Sequence, residues 1–143
     1  TAAAWSIGAY GDDQWKVSQP QGGYTGMYIN PLRQAGTALD MLNVMSYDAG
    51  NKASTGYDPL EAYQHYFHGS IAVGIEVAPE AWGGNISSLQ DVEKLVAATA
   101  ARPGDGAMIW ALQKRPYGQP SAEHPDASMI MNTACKILHL AGC

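Results

Sequence analysis

Basic residues are scarce in this chain: eight lysines and arginines against thirteen aspartates and glutamates, a formal net charge of −5 over 143 residues. No basic stripe forms, so nucleic acid is not an expected partner. Long apolar runs are also missing. Those present are broken by glycine or charge and are far too short to span a bilayer, so no membrane partner is expected. No signal peptide opens the chain. Its first ten residues, Thr1 through Tyr10, read like the inside of a strand, as though the product had been processed or cut.

Several chemical signatures are absent as well. Neither His-Glu-x-x-His nor Cys-x-x-Cys occurs. His65 and His68 stand three apart near a helix end, while His124 and His139 are isolated, and all four read as surface histidines. Gly-x-Ser-x-Gly is lacking, which removes the support for a serine nucleophile. Gly8-Ala9-Tyr10-Gly11 has neither the spacing nor the helix start of a phosphate-binding loop. No metal and no cofactor are expected.

What remains is a chain 46% hydrophobic and 15% charged, enough for one globular domain over residues 1–143. Its two cysteines, Cys135 and Cys143, lie at the end and are expected to pair, folding the last residues onto the last helix. Asn85-Ile86-Ser87 is a glycosylation sequon. Both features point to a secreted, extracellular protein.

Apolar runs at residues 2–10, 41–47, 71–78 and 107–112 read as strands, near-continuous as in a sheet covered on both faces. Helices are expected between them. One spans residues 31–39 with Asn30 as N-cap, and a second spans 58–67 with Asp58 as N-cap. A third spans 87–101 with a stripe of Leu89, Val92, Leu95, Val96 and Thr99. A fourth spans 127–140 and buries Ile130, Met131, Ala134, Ile137 and Leu138. Strands recurring every 30–40 residues or so with helices between are the rhythm of β/α units. The long segments at 11–30 and 113–126 carry Trp15, Tyr24, Tyr28 and Tyr117, and loops of that length are usually functional or disordered.

Asn43-Val44-Met45-Ser46-Tyr47-Asp48 is the most informative stretch. Alternation puts Asn43, Met45 and Tyr47 on one face, and Asp48 falls where the loop Ala49-Gly50-Asn51 begins. Ligands of parallel α/β proteins gather at the carboxyl ends of strands. There the other strands bring Tyr10-Gly11-Asp12-Asp13, Glu80-Ala81-Trp82-Gly83-Gly84, and Trp110 with Gln113. An edge rich in Trp, Tyr and carboxylates suits carbohydrate, whose C–H faces pack on aromatic rings while its hydroxyls meet polar groups. Trp5, in mid-strand, reads as core.

Leu42 to Asp48 resembles the sixth-strand Met-x-Tyr-Asp motif of glycoside hydrolase family 18, the chitinases and related endo-N-acetylglucosaminidases. Gly106-Ala107-Met108-Ile109-Trp110-Ala111-Leu112 resembles the family's eighth strand. The resemblance implies the C-terminal half, strands five to eight with their helices, of a TIM (β/α)8 barrel. The family signature Asp-x-x-Asp-x-Asp-x-Glu, whose final Glu is the proton donor, does not occur in the chain.

The family mechanism is substrate-assisted retention, an exception to the two-carboxylate scheme. By resemblance, Tyr47 holds the substrate's acetamido oxygen and Asp48 contacts the distorted sugar. Met45 lines the pocket under the acetamido methyl, and Trp110 stacks beneath the ring. Trp82 and Tyr10 are placed by position as extensions of the cleft. The substrate implied is a polymer of β-1,4-linked N-acetylglucosamine. The partner implied is the missing N-terminal half-barrel or a second copy of the chain, because half a barrel exposes two strand edges and an apolar face. Alone, the chain is expected to bind but not to cleave. Two alternatives stand beside this reading: a non-catalytic lectin or storage relative, and an independent flavodoxin-like domain with another ligand.

Overall fold

Four apolar runs become four parallel strands: β1 (Ala2–Trp5), β2 (Met41–Met45), β3 (Ser70–Glu76) and β4 (Gly106–Trp110). The computed structural model describes residues 1–48, 57–82, 84–116 and 118–143, without the side chains of Tyr57 and Asp58. The expected loop at residues 49–51, Gly83 and Tyr117 lie outside the described residues.

The strand order is β1-β2-β3-β4, the order of the chain. Each crossover therefore steps in the same direction, and right-handed crossovers then place every helix on one face of the sheet. Burial follows that rule. Ala4, Leu42, Val44, Ile71, Val73 and Ile75 are buried in the helix-side core. The register sets Trp5 beside Met45, Met108 beside Gly74, and Trp110 beside Glu76, all on the opposite face. The order never reverses among the described strands. The crevice that a flavodoxin-like domain uses, at a topological switch point, is therefore absent there.

The helices are α1 (Ile29–Ala35), α2 (Tyr57–Tyr66), α3 (Leu89–Ala100) and α4 (Ala127–Ile137). α3 starts on a capping box: the Ser88 side chain accepts from the Asp91 backbone N–H, and the Asp91 carboxylate accepts from Ser88. Val92, Leu95, Val96 and Thr99 then bury one stripe, as the periodicity requires. α4 starts at Asp126, whose carboxylate accepts from Met129 N–H at 2.8 Å. Cys135 and Cys143 form the expected disulfide, with Cα atoms 5.7 Å apart.

Several expectations need correction. The first strand stops at Trp5, and Ser6–Ala9 turn into a 3-10 helix. The cause is tertiary: Gly8 packs so tightly beneath the rings of Tyr28 and Tyr63 that any Cβ would collide with both. Trp5 is not core; it is 37% exposed and stacks on Tyr24. Asn30 lies inside α1 rather than capping it, with Tyr28 at the N-cap, and Asp58 lies inside α2. The third helix begins at Leu89, two residues after its expected start. α4 ends at Ile137, and Met131 is half exposed rather than part of its buried stripe. The long 11–30 segment is partly ordered by the Asp13–Val17 3-10 turn, which buries Trp15 against the rings of His65 and Tyr66.

Candidate functional site

The carboxyl ends of β2, β3 and β4 converge on the face that carries no helix. Tyr47 follows β2 two residues after Met45, so alternation keeps the two side chains on one side. Its ring lies across Gly74 of β3, where a Cβ would come within 2.6 Å of the Tyr47 Cε1. Glycine at that point leaves room for the ring. Burial first, and then the negative charges of Glu76 and Asp48, push the Tyr47 hydroxyl up to about 12. It is therefore a neutral hydrogen-bond donor across the whole physiological range.

Glu76 ends β3 opposite Trp110 and is 2% exposed. Its Oε1 pairs with the Lys114 ammonium, which also donates to the Pro79 carbonyl. Glu76 Oε2 is buried without a hydrogen-bond partner among the described residues. Burial lifts the Glu76 carboxyl above the usual carboxylate range, against the opposing pull of Lys114. Lys114 thus fastens the segment after β4 to the end of β3.

Asp48 has a backbone φ of +55°, a left-handed conformation that few residues other than glycine adopt. Two hydrogen bonds stabilise it there. Its N–H donates to Glu80 Oε2 at 2.8 Å, and its Oδ1 accepts the Trp82 N–H at 2.6 Å. Glu80 is buried and is itself held, its N–H on the Asn85 carbonyl and its Oε1 accepting the Asn85 amide at 3.1 Å. A strained residue stabilised from two sides at a strand end is a common feature of binding sites.

Of the residues singled out from sequence, Met45, Tyr47, Asp48 and Trp110 lie at this end of the sheet, on β2 and β4 or directly after them. Trp110 is 55% exposed and open to a ligand, not core. Trp82 is 74% exposed and joined to Asp48 through its backbone. Tyr10 differs: it is 1% exposed and belongs to the hydrophobic core, so it offers no surface to a ligand. Its expected cleft position followed from a strand that was read five residues too long. The neighbouring carboxylates also turn elsewhere. Asp12 pairs with Arg33 at 2.8 Å, which holds its carboxyl below the usual range, and Asp13 lies 3.3 Å from His65.

Glu80 was placed at this edge from sequence but without a role, and Glu76, Asn85 and Lys114 were missed as site residues. One signal was present for Glu76: it is the single charge in the apolar run from Ile71 to Pro79. A charge in a buried strand needs a partner. Lys114, 38 residues on, can be paired with it only in three dimensions.

The chain was compared with protein-family models, with curated proteins and with solved structures, and none of the three comparisons returns a match.

Proposed function

We propose that this chain is the C-terminal half of a TIM (β/α)8 barrel of the family 18 glycoside hydrolase type, and that it binds N-acetylglucosamine polymers. The observation that carries the reading is the neutral Tyr47 hydroxyl, on a side chain only 8% exposed, beside Asp48 and on the same sheet face as Met45 and the exposed Trp110. The sequential strand order with helices on one side supports the barrel half, since a barrel is a sheet wound in one direction. β1 and β4 each pair on one side only among the described residues, which fits a sheet completed by further strands. In this reading those strands belong to an N-terminal half outside these 143 residues or to a second copy of the chain.

In this reading Tyr47 donates to the acetamido oxygen of the bound sugar and holds it in line with the anomeric carbon. The oxygen attacks that carbon as the glycosidic bond breaks, so no enzyme carboxylate acts as nucleophile. Trp110 packs under the ring, Asp48 meets its hydroxyls, and Met45 lines the acetamido pocket. The leaving oxygen takes its proton from an acid that lies outside these 143 residues. Without that acid the same site is a saccharide binder, as in a lectin or storage relative. The Cys135–Cys143 disulfide supports an extracellular setting.

The test is titration calorimetry with the N-acetylglucosamine tetrasaccharide, paired with native mass and product analysis. Wild-type protein is expected to bind, and Tyr47→Phe to bind about tenfold more weakly, the worth of roughly one hydrogen bond. Absence of binding at millimolar sugar would sink the proposal. Cleavage by an assembly of more than one polypeptide supports the hydrolase. Binding without cleavage by a single chain supports the non-catalytic relative and removes the half-barrel pairing.

A further inference from the structure

Near the sheet end that carries Tyr47 and Trp110 lies a second aromatic feature. Trp5, at the end of β1, and Tyr24, from the 11–30 segment, stack with ring centres 5.0 Å apart and planes within 7° of parallel. Between this pair and the exposed Trp82 runs a groove of about 340 Å³, walled by Ser6, Gln21 and Asp48. We propose that this groove is a separate sugar-ring subsite, which takes the next unit of a saccharide chain as it passes Asp48. The inference rests on the saccharide reading of the neighbouring cleft and adds to it where the polymer goes and which residues select its length.

Three observations point to a neutral ring. Three aromatic rings, Trp5, Tyr24 and Trp82, line the groove, the kind of surface that the C–H face of a pyranose prefers. Among the described residues of the lining, the polar side chains are neutral apart from one carboxylate, Asp48, and none is a cation, which disfavours a phosphate or a carboxylated ligand. The volume falls near the lower end of the ~300–1,000 Å³ common to small-molecule sites.

The groove is also preorganised. Tyr24 sits in a turn closed by Thr25 N–H on the Gly22 carbonyl at 3.1 Å and by Gly22 N–H on the Thr25 hydroxyl at 2.8 Å. Gly26 N–H and Tyr28 N–H then bind the carbonyls of Ile7 and Gly8, which ties the segment to the turn after β1. On the other side the Trp5 carbonyl accepts from the Tyr63 hydroxyl at 2.7 Å. Both rings are thus held before any ligand arrives, which lowers the entropy lost on binding. Asp48 lines this groove and also follows β2 beside Tyr47, so one saccharide chain can occupy both.

The test uses purified protein in its native assembly and measures affinity for the N-acetylglucosamine disaccharide and pentasaccharide. Trp5→Ala and Tyr24→Ala are compared with wild type. Each variant is expected to weaken the pentasaccharide about tenfold, or about 1.4 kcal/mol, while leaving the disaccharide within about twofold. Tyr24 is half exposed, so its variant keeps the test independent of any folding defect in Trp5→Ala. If wild type binds and both variants hold the pentasaccharide as tightly, the subsite is refuted and the neighbouring cleft stands. Equal losses for both lengths would likewise overturn the subsite. Wild-type protein that binds neither length refutes the saccharide reading itself, and this inference with it.

Discussion

Gly74 makes room for Tyr47: a Cβ on the glycine would lie 2.6 Å from the Tyr47 ring and 2.8 Å from the Val44 carbonyl oxygen. Both contacts are too short to keep, so the ring and the strand backbone must shift together. Gly74→Ala is expected to cost about 1–3 kcal/mol of stability through overpacking and to lower saccharide affinity tenfold or more by displacing the hydroxyl. Thermal unfolding and calorimetry check the two effects. An alanine variant that binds like wild type would show that the position of Tyr47 is not what the ligand reads.

The Tyr47 hydroxyl makes a prediction at high pH. Its folded value of about 12 lies above the usual 10, so between those limits the unfolded chain loses a proton that the folded chain keeps. Its contribution to stability is complete below about pH 10 and declines as pH rises toward about 12. Burial also raises the Tyr63 and Tyr66 hydroxyls, so spectroscopic titration should find several late-ionising tyrosines in wild type and one fewer, the one near pH 12, in Tyr47→Phe. Saccharide affinity should be independent of this group up to about pH 10.

Removing Lys114 leaves Glu76 buried without its counter-charge. Lys114→Met is expected to lose about 3 kcal/mol at neutral pH. Because the folded value of Glu76 is raised, its protonated form is the better tolerated one, and the loss should shrink as pH falls through that value. Denaturant unfolding at neutral and acid pH measures the difference. A loss equal at both would mean that Glu76 does not bear the charge.

At the opposite, amino-terminal end of the strands, Asp105 accepts the Ile71 N–H at 2.8 Å and the Gln64 amide at 3.1 Å, with Arg102 3.6 Å away. Asp105→Ala strands a buried backbone donor and should destabilise by about 2–4 kcal/mol. Affinity for saccharide should be unchanged at temperatures where the variant is folded, since the residues of the proposed site lie at the other end.

The parallel α/β architecture was legible because β2, β3 and α3 are strongly patterned. The apolar runs at 41–45 and 71–75 and the stripe of Val92, Leu95, Val96 and Thr99 each suit one kind of element. β1 was misread because Ile7, Gly8 and Ala9 continue its apolar character. What turns the chain there is the packing of Tyr28 and Tyr63 over Gly8, contacts from distant sequence. Trp5 was assigned to the core for the same reason: hydrophobicity was visible, but the face without a helix was not. The placement of Met45, Tyr47, Asp48 and Trp110 at one end of the sheet was legible because each lies in or beside a recognisable strand end. The roles of Glu80, Asn85 and Lys114 were not legible, since they come from partners across loops.

Asp48 gives a hydrogen bond to Glu80 and takes one from the Trp82 backbone, so the turns after β2 and β3 share a single pivot. Whatever draws on the Asp48 carboxylate also changes the hold on the Trp82 amide, and linkage makes that exchange reciprocal. The Trp82 amide is therefore a built-in reporter: its hydrogen-exchange rate registers occupancy at Asp48 without any label. A substitution that loosens the Trp82 turn will, by the same token, be felt as a change in affinity at a residue it never touches with its side chain.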